Sequence, residues 1–128
     1  MSFEIIESGQ VLKIIERVTN HQTATIKKPY GMAQNIAVSC EKTSLLAGEE
    51  LLITLKWQEF DLELSDWVDN IEKTDAINID VSGVTDQLIP ENGQAAIIFS
   101  SAEPGMHIIK TINSGIGNAY LEVTVNAA

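Results

Sequence analysis

The chain is poor in the residues that staple a fold or carry out chemistry. Its 128 residues include one cysteine, Cys40. No disulfide can form within it, and a thiolate zinc site would lack partners. Cys40 is expected as a small buried apolar side chain. The two histidines, His21 and His107, stand in different segments. Neither has a neighbouring Cys, Asp or second His at ligand spacing. His107 is expected as a partly buried strand residue with one hydrogen-bonded nitrogen, and His21 as solvated in a polar turn with Asn20 and Gln22. Cations are scarce: eight against eighteen acids, a net charge of −10. So acidic a surface repels phosphate backbones and anionic lipid, which excludes nucleic acid as a partner and disfavours membrane binding. No apolar run approaches the length of a membrane span. The opening Met1-Ser2-Phe3-Glu4-Ile5 has neither the basic nor the apolar region of a secretory signal. A soluble chain without an export signal of its own is the expectation, and its location is otherwise unknown.

Catalytic constellations are missing too. There is no Gly-x-Ser-x-Gly elbow and no base beside Cys40. Gly115-Ile116-Gly117 runs into Asn118-Ala119-Tyr120, so the third glycine of a phosphate-binding loop is lacking and the segment reads as a hairpin loop. No catalytic residue, cofactor or resident metal is expected, and the chain is not expected to be an enzyme.

What is present is enough apolar residue for one core, 45% of the chain, with 20% charged. Charge is unevenly spread: residues 1–30 hold four cations and three acids, residues 31–128 four lysines and fifteen acids. The step falls near Pro29-Tyr30-Gly31, and we divide the chain into an arm, 1–35, and a domain, 36–128. In the arm, Phe3 to Ile6 and Val11 to Val18 flank Glu7-Ser8-Gly9-Gln10, a β-hairpin pattern, although Ile14, Ile15 and Val18 would also suit a helical face. A lone hairpin is barely stable in water, so the arm is expected to pack on the domain, on a second copy or on a protein partner.

Beyond the arm, apolar residues recur with period two. Leu51, Ile53, Leu55 and Trp57 share one face, as do Ile77, Ile79 and Val81. The same holds for Ala95, Ile97 and Phe99, for His107, Ile109 and Thr111, and for Leu121, Val123 and Val125. Ala47-Gly48, Ser82-Gly83, Glu91-Asn92-Gly93, Pro104-Gly105 and Ser114-Gly115-Ile116-Gly117 punctuate them. Short alternating strands with turns about every ten residues predict an all-β protein, a sandwich or barrel. Glu59 to Asp75 is ambiguous: Phe60, Leu62 and Leu64 alternate like a strand, whereas Leu64, Trp67, Val68 and Ile71 fall at helical spacing.

Four stretches together resemble bacterial Ig-like domains of the invasin and intimin type, found in adhesins and in phage tail proteins. They are Ala37-Val38-Ser39-Cys40-Glu41-Lys42-Thr43-Ser44; Ala47-Gly48-Glu49-Glu50 with Leu51 to Trp57; Asn92 to Ser101; and Glu103 to Lys110 with Leu121-Glu122-Val123-Thr124-Val125. The resemblance covers roughly 36–128 and implies an immunoglobulin-like β-sandwich, here with an N-terminal β-hairpin arm. It departs at His107, where the family commonly has Tyr, and in the long polar connection from Glu59 to Asp75. It implies a noncatalytic structural or binding module, in layout similar to tail-associated proteins of phages and prophages, with the arm anchoring and the sandwich projecting.

The alternative is a surface module that binds a glycan, calcium-assisted, through the 59–75 acidic loop. Its carboxylates are Glu59, Asp61, Glu63, Asp66, Asp69, Glu72 and Asp75. Hard cations take oxygen ligands of this type, but the spacing matches no EF-hand, and a solvated acidic face is the plainer expectation. Trp57 continues an inward strand face. Trp67, beside Asp66 and Asp69, is the better contact candidate, although burial beneath the connection is expected even there. The candidate contact set is therefore Trp67, Asp61, Asp66 and Asp69.

Overall fold

The computed structural model describes residues 2–5, 24–25 and 33–128. Among them are eleven strands and no helix: β1 (Ser2–Ile5), β2 (Ala24–Thr25), β3 (Gln34–Cys40), β4 (Ser44–Leu46), β5 (Leu51–Asp61), β6 (Asp66–Asp69), β7 (Ile77–Val81), β8 (Val84–Leu88), β9 (Gln94–Ser100), β10 (Gly105–Thr111) and β11 (Tyr120–Asn126). They form two sheets. One runs β1-β9-β5-β3-β2, with β6 also paired to β5, and the other runs β4-β11-β10-β7-β8. The sheets stack face to face through the alternating residues: Ile53, Leu55, Ile77, Ile79, Val81, Ile97, Phe99 and Val123 are completely buried in one core. This is an Ig-like β-sandwich, as the periodicity predicts.

The first domain strand serves both sheets. β3 pairs antiparallel with β5, the chain bends at Glu41–Thr43, and β4 then pairs parallel with β11, Leu45 opposite Val125. Asn126 fastens the switch, its Nδ2 donating to Ser44 Oγ at 2.9 Å. A strand that changes sheet closes one edge of the sandwich. In the familiar seven-strand arrangement the strand beside β9 would come from the middle of the chain. Here β8 stays on β7, pairing along its whole length, and β1 takes the place beside β9, Phe3 opposite Phe99. The hairpin partner predicted for β1 at 11–18, like His21, lies outside the described residues. β2 pairs with β3 at the other side of the same sheet.

Turn chemistry follows the sequence. Asn92 and Gly93 have φ of 54° and 72°, and Glu91 and Gln94 exchange both backbone hydrogen bonds across them, the geometry for which Asn-Gly is suited. Ser82-Gly83 joins β7 to β8 likewise, with positive φ at both. β8 went unrecognised because four of its five residues are exposed and only Leu88 enters the core. At one end of the sandwich Asn113 and Asn118 close the β10–β11 loop. Asn118 Oδ1 accepts from Thr111 Oγ1 and Asn113 N, and Asn113 Oδ1 accepts from Asn78 N.

His107 departs from expectation. Both ring nitrogens are engaged, Nε2 donating to the Glu103 carbonyl at 2.9 Å and Nδ1 accepting from Ser82 Oγ at 3.1 Å, with Phe99 packed at 5.5 Å. It thus ties β10 to two loops from inside the sandwich.

Candidate functional site

β5 is long, and its length creates the molecule's most distinctive surface. Leu51 to Lys56 pair with β9, but that partner ends at the Asn92-Gly93 turn. Trp57 is the handover: its amide donates to the Gly93 carbonyl, and its own carbonyl accepts from Asn70 N. Beyond it β5 pairs with β6 instead, from Gln58 opposite Asp69 to Asp61 opposite Asp66. The end of this hairpin, Phe60 to Trp67, begins about 10 Å past Trp57, at about 3.3 Å per strand residue.

The helical alternative for Leu64 to Ile71 is thereby corrected, and so is continuation of the strand through Leu62 and Leu64. Asp61 reverses the chain, its Oδ1 accepting from the amides of Glu63 and Leu64 at 2.9 and 3.1 Å. Local carboxylate–amide bonds of this kind compete with both helix and ladder. Ser65, at φ 51°, completes the turn. Phe60 and Trp67 then meet edge to face across the strands, centroids 5.5 Å apart at 77°, which adds about 0.5–1.5 kcal/mol to the pairing.

All four candidate contact residues lie on this hairpin, but on two faces. Trp67 and Asp69 share a face with Phe60 and Gln58, while Asp61 and Asp66 point the other way, because side chains alternate. Each carboxylate has a local role: Asp66 Oδ1 accepts from Trp67 N at 2.8 Å, and Asp69 accepts from Gln58 Nε2 at 3.0 Å and faces Lys56 Nζ at 3.6 Å. Among the described residues no three His, Cys, Asp or Glu side chains converge as metal ligands would. Trp67 is partly exposed, not buried beneath a loop. Trp57 is core, its Nε1 donating to the Asp75 carbonyl at 2.9 Å and its ring lying 4.9 Å from Lys73 Nζ.

The apolar residues of the hairpin end are plain in the sequence, but their exposure is not. Leu62 is 84% exposed, Leu64 66% and Phe60 39%, while Ile71, 66% exposed, lies at the hairpin's base beside Gly93. Phe60 falls on the outward face of β5, with Lys56 and Gln58, because Leu51, Ile53, Leu55 and Trp57 take the inward positions, and Leu62 and Leu64 follow in the turn. The surrounding carboxylates were the available signal, since five of the twelve residues from Gln58 to Asp69 are acidic and none is basic.

Cys40 is buried, and burial is the main cause that pushes its thiol up; its Sγ–H donates to the Lys42 carbonyl at 3.3 Å. A shallow, open depression lined by Asp80, Ser82, Met106, Ile108 and Lys110 lies on the outside of the other sheet.

No protein-family model matches the chain, and no curated protein does. Among solved structures it is similar to the CARDB domain of a Pyrococcus furiosus protein. The solution structure of that domain is 11% identical, covering 73% of this chain and 92% of that one, with a TM-score of 0.46. The crystal structure, in complex with di-metal ions, is 12% identical, covering 82% of this chain and all of that one, with a TM-score of 0.43. The fold assignment therefore rests on the strand pairing itself.

Proposed function

We propose that this chain is a noncatalytic Ig-like structural and binding module of the invasin and intimin type, working through protein–protein contacts in a phage or prophage tail. The observation that supports this is the projecting hairpin, which holds large apolar side chains in water. Soluble surfaces tolerate these singly, but a cluster on a projecting element is characteristic of a contact. Two packed sheets supply a rigid body behind it, and the contact residues sit on a turn and a loop that the body positions.

The arm is the second contact element. The edge of β9 accepts a strand by main-chain pairing, a mode that also joins separate chains. Since Ser2–Ile5 lies along the chain's own β9, self-association through the arm requires this strand to pair with β9 of a second copy. Light scattering tests that: dimers lost on deleting residues 1–5 support it, and a monomer at every concentration removes it. The tail assignment predicts flanking tail or baseplate genes and labelling of assembled particles by antibody to the chain. A chain found only outside such particles overturns it.

One observation favours glycan binding as the alternative. Phe60 and Trp67 present aromatic surface on one face of the hairpin, where a sugar ring could stack. Tryptophan emission separates the readings: oligosaccharide with calcium shifts it if this alternative holds and leaves it unchanged otherwise.

A further inference from the structure

We infer that the end of the β5–β6 hairpin is a docking prong for a protein with an apolar cleft rimmed by lysine and arginine. The inference rests on the protein-contact reading above and specifies its surface and the chemistry of the partner. Phe60, Leu62 and Leu64 are three of the ten exposed large apolar residues among those described, and they fall within five positions. The others, such as Leu46, Ile89, Met106 and Ile112, are dispersed over separate strands and turns.

Charge decides what covers the prong. Its apolar side chains stand among Glu59, Asp61, Glu63, Asp66 and Asp69, with no cation from Gln58 to Asp69. Among the described residues the nearest cations along the chain are Lys56, 3.6 Å from Asp69, and Lys73, held by Asp75 at 3.3 Å and Gln34 at 2.9 Å. Anionic lipid and nucleic acid are repelled by such a rim. Tip-to-tip pairing of two copies would set five carboxylates against five. A cationic rim around an apolar cleft satisfies both features of the surface, the charges steering the approach and the leucines supplying affinity.

The prong is also preorganised. The Asp61 carboxylate fixes the turn amides, and the Phe60–Trp67 ring pair fixes the strands behind them. Little ordering entropy remains to be lost on binding.

The test titrates full-length protein with two synthetic amphipathic peptides of equal length and leucine content, one with lysine and one with glutamate on the polar face. Amide shifts and Trp67 emission are the readouts. The lysine peptide is expected to perturb residues 60–69, to bind about tenfold or more weakly to Leu62→Ser/Leu64→Ser, and to weaken with added salt. The glutamate peptide is expected to leave the spectra unchanged. Both replaced leucines are exposed, so the variant should keep its melting temperature, which is measured alongside. Equal binding of the two peptides, binding of neither, or undiminished lysine-peptide binding by the variant overturns the inference. So does a dimer that disappears in the variant, which would make a second copy the occupant. A double variant that still enters tail particles overturns the prong while leaving the tail reading standing. A wild-type chain absent from particles overturns the tail reading, and the peptide result then judges the prong alone.

Discussion

Gly93 carries two constraints at one position. Its φ is +72°, and a Cβ placed there would meet the Asn70 carbonyl oxygen at 2.0 Å. The 70–72 segment crosses directly over this turn, so neither backbone can yield independently. Gly115, at φ +74°, has open space around it. Gly115→Ala should cost about 1–2 kcal/mol from left-handed strain alone, and Gly93→Ala distinctly more, as read from chemical denaturation. Equal costs would show that the 70–72 segment moves aside freely. Asn35 poses the opposite question. It is fully buried opposite Gln58, and its Nδ2 and Oδ1, like Gln58 Oε1, have no hydrogen-bond partner among the described residues. Burying such an amide costs about 1–3 kcal/mol, so Asn35→Leu is expected to raise the unfolding midpoint. A fall would mean the amide is bonded in solution. Neither feature is visible in sequence: Asn-Gly announces a turn, but not which backbone passes over it, and Asn35 carries no sign of its burial.

Among the elements, the β4 turn and the β5–β6 hairpin show how carboxylates replace ladder bonds. Glu49 accepts from Lys42 Nζ at 2.6 Å and from Leu46 N at 3.0 Å. The Lys42 hydrogen bond first, and the Leu46 amide after it, hold its carboxyl below the usual range. A depressed folded-state pKa contributes stability above the unfolded value, and that contribution is lost as pH falls through the folded value. The melting temperatures of wild type and Glu49→Gln should therefore differ at neutral pH and converge below about pH 4. Because Glu49 is exposed, the difference should be small and should shrink with salt. A gap that persists in acid would assign the effect to packing. Asp61 does the corresponding work in the hairpin. There sequence left strand and helix open, since four apolar residues at helical spacing competed with three at strand spacing. The structure ends the strand at Asp61, the last residue paired with β6, because its carboxylate takes the Glu63 and Leu64 amides and turns the chain.

For the molecule as a whole, stability comes from one interior shared by two sheets. Ile97 lies at its centre with no exposed surface, on a strand flanked by β1 and β5. Ile97→Ala should cost about 2–5 kcal/mol within a single cooperative transition, measured by urea denaturation followed by fluorescence and circular dichroism together. Non-coincident curves would divide the sandwich into independent parts. Pairings such as Ser44 with Thr124 join distant residues, so folding in milliseconds to seconds is expected of this topology.

Sequence alone determined the strands whose two faces differ. Ile53, Ile79, Ile97, Ile109 and Val123 share the predicted interior because alternation is a local consequence of the extended backbone, and the turns followed from residues that tolerate positive φ. The tertiary structure decided which strands are neighbours: that β3 and β4 serve different sheets, that β8 stays on β7, and that β1 lies beside β9. It also decided that Leu62 and Leu64 meet water. An apolar residue records a preference for burial, but whether anything stands opposite it depends on where the facing sheet ends.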